Sequence, residues 1–562
     1  MNKAVTKIET DVLVIGGGFA GCYASIKAAE QGAKVVMAVK GRTGRSGLTP
    51  WANSWFVYHE TKGVTREQYI QQFKLSGEYL NNLDYSEILM NESWDRFQEL
   101  VAWGTPTGRQ YYYQPGTVSR SIEYVGAGDP MRKRAVEVGV NLLERVMVTT
   151  LIKQEDKVVG AVGFHMESGR PYAILAKATV MCAGPASFKP LGMGYPCSST
   201  TADGDAMAYR VGAEISGKEF NDAHPSNAFN PLDESSLKSV SGDGNHKTSV
   251  LKLGGGPPSA PGPADTLKGE QLGLRIDKAI GFNQGGNPIE PKYCAGPGGE
   301  IVGRTDERGG HVGFSTLGMS NHKGEGVFPQ DLNGASNIAG LWAAGDGLCS
   351  MQNGAGYAGF GSSSSGSAVQ GARAGIAAAH YAAEQPSPVV DEATLSEYKN
   401  RMFAPMTREK GYSPAWVTRM LQNTMSPYFV MYVKERSRME GALNHIMYLQ
   451  NKFASQLKVY DFHDLRSAHE TQNMLLNAEM KLRAGLAREE SRGTHYREDF
   501  PYRDDANFLC WIKLVNKEGA MQVVKHPIPE KWHPAANLSY RDKYPFIYPE
   551  EDEKRLEVGI EV

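Results

Sequence analysis

The stretch Asp11-Val12-Leu13-Val14-Ile15-Gly16-Gly17-Gly18-Phe19-Ala20-Gly21-Cys22 decides the fold class. Its apolar run is the length of one strand buried on both faces of a parallel sheet. Gly16, Gly18 and Gly21 follow at G-x-G-x-x-G spacing. A small-residue helix is expected over 20–31 and a second strand over 33–39, which completes a βαβ unit of the dinucleotide-binding type. Each glycine has its own reason. Gly16 permits a tight turn, Gly18 lets a pyrophosphate touch backbone, and Gly21 lets helix and strand pack closely. The helix N-terminus, with Phe19 and Ala20 in its first turn, then faces the phosphates.

Folds of this kind usually end the second strand on Asp or Glu, which accepts the ribose hydroxyls. Here the strand ends Met37-Ala38-Val39 and continues Lys40-Gly41-Arg42. Lys40 and Arg42 could bind the 2′-phosphate of NADP, or the adenosine is held in another way in a flavin site. A second glycine unit favours the flavin. Ile338-Ala339-Gly340-Leu341-Trp342-Ala343-Ala344-Gly345-Asp346 reads as a strand that delivers an acid. It resembles the distal flavin motif of FAD-dependent oxidoreductases. Ser362 to Ser365 follow at a turn, and a helix is expected from about 366 to 384. Its N-terminus would face the flavin pyrimidine end, where negative charge develops on reduction.

Between these units, 64–104 reads as helical. Residues 146–182 read as a β-meander with turn signals at Gly160 and Ser168-Gly169-Arg170, closing on the strand Ala178–Cys182 before Gly184-Pro185. The stretch 232–310 is rich in Gly and Pro and is expected to be an inserted, loop-rich cap. Residues 391–488 carry Met, Leu and charged residues at helical periods, which predicts a helical bundle. The expected class is therefore α/β: a Rossmann-like FAD-binding domain with an inserted capping domain and a C-terminal helical domain. The boundaries read 1–231 and 313–388 for the FAD-binding domain, 232–312 for the cap, and 389–562 for the helical domain and tail.

Composition narrows the function. The chain has 562 residues with 60 basic and 62 acidic side chains, which removes the main reason to expect general nucleic-acid binding. Gly accounts for 63 residues, about 11%, against a usual ~7%. The six cysteines form no C-x-x-C pair, so neither a zinc ribbon nor a self-contained iron–sulfur site is expected. The polar start, Met1 to Thr10, leads straight into a strand, and no 18-residue apolar run is present. A reduced cytoplasmic protein off the membrane is the expectation.

The chain resembles the fumarate reductase and succinate dehydrogenase flavoprotein family, and within it the alpha subunit of adenylylsulfate reductase. The resemblance is carried by Gly16–Gly21, Arg45-Ser46-Gly47, Ala178–Gly184 and Ala202-Asp203-Gly204-Asp205-Ala206-Met207-Ala208. It continues through Gly345-Asp346, Ser364-Ser365-Gly366-Ser367 and the tail Ala487-Arg488-Glu489-Glu490-Ser491-Arg492-Gly493-Thr494-His495-Tyr496-Arg497-Glu498-Asp499-Phe500-Pro501. It implies FAD contacts at Gly16, Gly18, Phe19, Ala20, Gly21, Lys40, Ser46, Gly47, Val146, Ala183, Gly184, Asp203, Gly345, Asp346, Ser364 and Ser365. Covalent members carry a flavin-linked His directly after the Ser of the Arg-Ser segment. Gly47 stands there, which implies non-covalent FAD. His224-Pro225-Ser226 resembles the family's substrate-side His-Pro-Thr motif. His311, 34 residues before Gly345, is matched to a second family histidine.

Dicarboxylate-handling members also place an arginine near the distal turn as a carboxylate clamp. Here that region reads Tyr357-Ala358-Gly359-Phe360. Without a guanidinium the bidentate partner of a carboxylate is lost. Tyr357 and Phe360, with Arg275 and Arg308 of the insert, are the substrate-side candidates, and no motif assigns a proton donor to Arg275, Arg304 or Arg308. The first function expected is hydride exchange between flavin N5 and a small organic molecule, neutral or singly charged, with His224 and His311 polarising it or moving a proton. The second is sulfur chemistry like that of adenylylsulfate reductase, with a separate iron–sulfur or other electron-donor protein as partner. The third is a flavin-fold binding module without turnover, against which the histidines and the charge balance argue. A homo-oligomer is compatible with all three. Arg488, Arg492, His495 and Arg497 could bind an anion, although such runs more often make interdomain salt bridges. The Met-rich helices read as core.

Overall fold

The computed structural model describes the chain apart from residues 1–3, 53, 59–64, 110–118, 122–125, 190–199, 221, 228–315, 353, 357–360, 426–427, 432, 545–547, 549 and 561–562. The insert 232–312, and with it Arg275, Arg304, Arg308 and His311, therefore lies outside the described residues, as do Tyr357 and Phe360.

The opening strand, Thr6–Ile15, lies in the parallel part of a seven-stranded mixed sheet. Val35–Val39 flanks it on one side and Pro171–Met181 on the other, and Asn141–Glu144 extends the sheet beyond Val35–Val39. Val12, Leu13 and Val14 are completely buried; Val12 and Val14 share a core with Ala20, Ala24, Ala374 and Ala378, and Leu13 one with Val148, Leu151 and Val158. Burying such a side chain stabilises the fold by about 1.5–3 kcal/mol. Pro171–Met181 is long enough to serve two neighbours on its other side. Its first half pairs with the antiparallel strand Lys157–His165, and its last residues pair in parallel with Leu341–Ala343. This junction carries the distal glycine unit back beside the proximal one.

The expected meander is present as Val146–Gln154, Lys157–His165 and Pro171–Met181. Gly160 is not one of its turns. It sits inside Lys157–His165, where an added Cβ would lie 2.0 Å from Ile174 O. An isolated glycine in a strand marks close backbone approach, and that is its role here. The segment 64–104 forms two helices rather than one, Arg66–Ser76 and Leu83–Gly104.

Two helices lock the glycine units together. Phe19–Glu30 packs along Ser362–Ala383, and a Cβ at Gly371 would lie 2.3 Å from Ala20 O and one at Gly375 2.2 Å from Ala24 O. The four-residue spacing repeats on both helices, so small residues meet small residues one turn apart.

The C-terminal bundle comprises Glu392–Thr407, Pro414–Met425, Arg436–Lys452 and Phe462–Ala487. Met402, Met425, Met439 and Met474 fill its core beside Ile446 and Leu449, as expected of an adaptable apolar side chain. The tail turns back: Cys510–Lys517 pairs with Ala520–Pro527 and also with Ile215–Ser216 of the nucleotide-binding half. No helix among the described residues is long and apolar enough to cross a membrane.

The basic tail cluster is structural. Arg488, Arg492, His495 and Arg497 are all fully buried. Arg488 pairs with Glu219 at 3.0 Å and Glu490 at 2.7 Å, and Arg492 with Glu490 at 2.8 Å. His495 Nδ1 takes a hydrogen bond from Lys434 Nζ (2.8 Å), and its Nε2 donates to Arg488 O (3.1 Å). Burial, with Lys434 beside it, holds this imidazole neutral, well below its ordinary pKa. These groups join the bundle to the nucleotide-binding half and are committed to one another rather than to a substrate anion.

Candidate functional site

Four segments converge at the end of the strand Pro171–Met181, and the distal one borders a small cleft. The proximal turn meets the end of Pro171–Met181, where a Cβ at Gly16 would lie 2.1 Å from Cys182 O and one at Gly21 1.9 Å from Gly16 O. Gly16 has φ +115, which only glycine adopts readily. Gly18 caps the first helix without any side-chain bond. Phe19 N–H is already given to Thr49 Oγ1 at 3.0 Å, so that amide is held by the protein. The distal turn arrives from the opposite side: a Cβ at Gly345 would be 3.0 Å from the Cβ of Ala20. Gly204, on the helix Asp203–Arg210, packs against Ala183 and Met181 in the same way. Thus Gly16–Gly21, Ala183-Gly184, Asp203 and Gly345-Asp346 are neighbours in the fold.

Lys40 follows the second strand, and its loop folds over the proximal turn, with Gly44 N–H donating to Gly17 O at 2.8 Å. Its ammonium is not open. It pairs with Asp203 at 2.7 Å and Glu470 at 2.8 Å, and donates to Thr201 Oγ1 at 2.8 Å. Burial pulls its pKa down, but the two carboxylates outweigh burial and leave it above lysine's ordinary value. Asp203 is held below the carboxylate range by the same pair, against its own burial. A cation committed to two carboxylates is a poor receptor for a 2′-phosphate, which weakens the NADP reading of this position.

Ser46 Oγ donates to Arg42 O at 3.0 Å, and Gly47, with φ +70, has no heavy atom within 4 Å of where its Cβ would point. Val146 is buried and begins the meander, opposite His165.

The helix at the distal turn begins at Ser362, four residues earlier than expected, because Gly361 takes φ +76 and starts it. This rearranges the serines. Ser365 N–H donates to Gly361 O at 3.1 Å and Ser365 Oγ to the same oxygen at 3.0 Å, so Ser365 is turned into its own helix. Ser363, Ser367 and Gln370 line the cleft instead, beside Asp346 and Gly345. Their i, i+4, i+7 spacing puts them on one helix face. Gln370 Oε1 accepts Gly345 N–H at 2.9 Å and so fixes the distal turn. Ser364 is not among the lining residues, but its amide belongs to the helix's first turn, where no side chain caps the helix.

Glu325 and Gln352, which no local motif marks, also line the cleft. Glu325 follows the strand Thr316–Lys323, which pairs antiparallel with Asp222–Asn227, His224 opposite Ser320. The ladder therefore places His224 on the strand beside the one that runs into the cleft. Behind the cleft, Lys218 and Asp205 form a fully buried ion pair. Nearby Lys481, desolvated and next to Lys218, is pushed down to about 7.

The residues fit FAD: glycine cradles at two turns, two helix N-termini without side-chain caps, and an acid on the distal turn. The comparisons with known proteins agree. Residues 11–246 match the FAD binding domain model, and 418–537 match the model for the fumarate reductase flavoprotein C-terminus. The chain belongs to the fumarate reductase and succinate dehydrogenase flavoprotein family. It is an FAD-dependent oxidoreductase. It is 27% identical over 534 residues to a fumarate reductase (CoM/CoB) subunit of Methanothermobacter marburgensis, covering 88% of this chain and 95% of that protein. The fumarate reductase flavoprotein subunit of Mycobacterium tuberculosis is 27% identical, covering 94% and 99%. L-aspartate oxidase of Streptomyces coelicolor is 24% identical, covering 93% and 94%.

Among solved structures, adenylylsulfate reductase of Archaeoglobus fulgidus superposes with a TM-score of 0.71 at 22% identity, covering 95% of this chain and 98% of that one. A quinol-fumarate reductase superposes equally, with a TM-score of 0.71 at 19% identity, covering 94% and 100%. The flavoprotein thus has the family's architecture, an α/β FAD-binding domain with a capping insert and a C-terminal helical domain. The fold does not favour adenylylsulfate reductase over fumarate reductase.

Proposed function

We propose that this flavoprotein binds FAD non-covalently and exchanges a hydride with a small organic substrate that is neutral or singly charged. The observation that carries the substrate reading is the sequence beside the distal turn. No arginine stands at Tyr357–Phe360, where dicarboxylate-handling relatives of this family place their clamp. A dicarboxylate would bring two charges into a partly desolvated site, where an unpaired buried charge costs several kcal/mol. When bound, FAD supplies hydride exchange at N5. Gly16–Gly21 and the first helix take the pyrophosphate, Asp346 accepts hydroxyl hydrogen bonds, and Ser363, Ser367 and Gln370 orient the distal end. His224, with His311 of the insert, holds or moves the substrate proton. The insert would exclude water.

The competing substrate is fumarate, favoured by the names of the two fumarate reductase relatives. Those relatives are named as subunits, which supports a protein electron donor, and an iron–sulfur protein suits a chain in which no cysteine motif offers cluster ligands. The sulfur-chemistry alternative rests on the motif resemblance to the adenylylsulfate reductase alpha subunit and on a fold likeness that fumarate reductase shares equally. Stoichiometric co-purification of an iron–sulfur protein with sulfite-dependent flavin bleaching would raise it.

Two outcomes follow for the cofactor. Acid precipitation is expected to release all flavin into the supernatant, since Gly47 offers no side chain for a bond. Flavin fluorescence that stays with the denatured band in a gel would contradict this. Asp346→Ala is expected to raise the FAD dissociation constant roughly tenfold to more than a hundredfold, the worth of a hydrogen bond to a charged acceptor. An unchanged constant by fluorescence titration removes Asp346 from the site.

A further inference from the structure

Lys40 follows the strand on which βαβ units usually carry their ribose acid, yet its ammonium is paired with two other segments. One is the start of the helix Asp203–Arg210. The other is Glu470, on the long C-terminal helix Phe462–Ala487, 1% exposed and 2.8 Å from Lys40 Nζ. Glu470 is itself held by Lys189, and Arg466 Nε lies 3.8 Å away. Asp203 is anchored to the same helix, because Asn473 donates to its other oxygen at 2.7 Å and Arg210 donates to Asn473 at 2.7 Å. Residues 470 and 473 sit one turn apart on one face.

The loop that begins at Lys40 rests on the proximal glycine turn through Gly44 and Gly17. The position of this loop therefore depends on a contact made by the C-terminal bundle. We propose that Glu470 is a positioning residue for FAD: through Lys40 and Asp203 it latches the Lys40–Gly47 loop over the nucleotide cleft, so that cofactor retention and docking of the helix Phe462–Ala487 are one coupled event. Glu470 need not touch the cofactor. With Glu470 buried, the ion pair restrains a loop that would otherwise open, and linkage makes the coupling reciprocal: FAD steadies the helix as the helix steadies FAD.

The proposal rests on the FAD-binding reading but not on any substrate. Its first test is hydrogen–deuterium exchange on the unaltered full-length protein, deflavinated and then reloaded with FAD. Amides of 462–487 are expected to exchange at least ~5-fold more slowly with FAD, and exchange in that helix indifferent to FAD would overturn the coupling. The second is Glu470→Gln, which removes the charge and keeps the shape. The deflavinated protein is expected to stay folded with a lowered melting temperature, and the FAD dissociation constant to rise at least ~10-fold, more than that loss of stability accounts for. An unchanged dissociation constant, or a loss matched by equal destabilisation of the deflavinated chain, would make Glu470 merely structural. If the unaltered protein itself binds no FAD, the cofactor reading fails with it. If that protein binds FAD and Glu470→Gln binds as tightly, only the latch fails.

Discussion

Gly21→Val is expected to yield protein that retains no FAD. At Gly21 even a Cβ would come within 1.9 Å of Gly16 O, a backbone atom that cannot rotate away. A branched side chain must push the first helix off the strand. That displaces the helix N-terminus from the turn, and with it Ala20, on which both Gly345 and Gly371 pack. The lesion therefore reaches the distal turn as well as the proximal one. The check is the flavin absorbance of purified protein after incubation with excess FAD and gel filtration. Flavin at the unaltered stoichiometry would show that the two turns do not meet as described.

Arg503→Met is expected to destabilise the chain by about 3–5 kcal/mol, the cost of leaving buried partners of an ion pair uncompensated. Arg503 is fully buried, with Nη1 3.0 Å from Glu551 and Nε 3.0 Å from Glu78. Its guanidinium also lies over the Tyr548 ring at 4.2 Å. Methionine approximates the volume but removes the cation that Glu78 and Glu551 share, leaving Glu551, among the described residues, only the cation of Arg541 at 3.6 Å. The measurement is the midpoint of urea unfolding for both proteins. A loss of less than about 1 kcal/mol would mean that these carboxylates take up protons at little cost and that the tail is held by packing alone.

The parts of the molecule legible in the sequence are those set by local rules. The strand Thr6–Ile15, the turn Gly16–Gly21 and the helix after it are consecutive, and a glycine that touches backbone leaves a spacing to read. The distal turn at Gly345 and the bundle are legible for the same reason. Gly160 misleads because a glycine needed for strand approach and one needed for a turn look alike without the partner strand. Ser363 and Ser367 are hidden in a run of serines whose helix starts at Gly361, and only the true start tells which face meets the cleft. Glu325, Gln352 and Glu470 carry no local signal. Each is brought to the site by contacts with segments distant in the chain. The tail's arginines look like an anion site because charge is visible in sequence and its partners, Glu78, Glu219 and Glu490, are not.

The preference for a neutral or singly charged substrate is tested most directly by reoxidation. The purified protein is reduced anaerobically and mixed in turn with fumarate, with neutral enones and with phenolic acids, and the return of flavin absorbance is followed. A neutral or singly charged acceptor should reoxidise the flavin at least ~100-fold faster than fumarate, the effect of roughly 3 kcal/mol of uncompensated charge in the transition state. Fumarate turnover equal to that of the best neutral acceptor would contradict the reading and show that a cation from the insert clamps a dicarboxylate there.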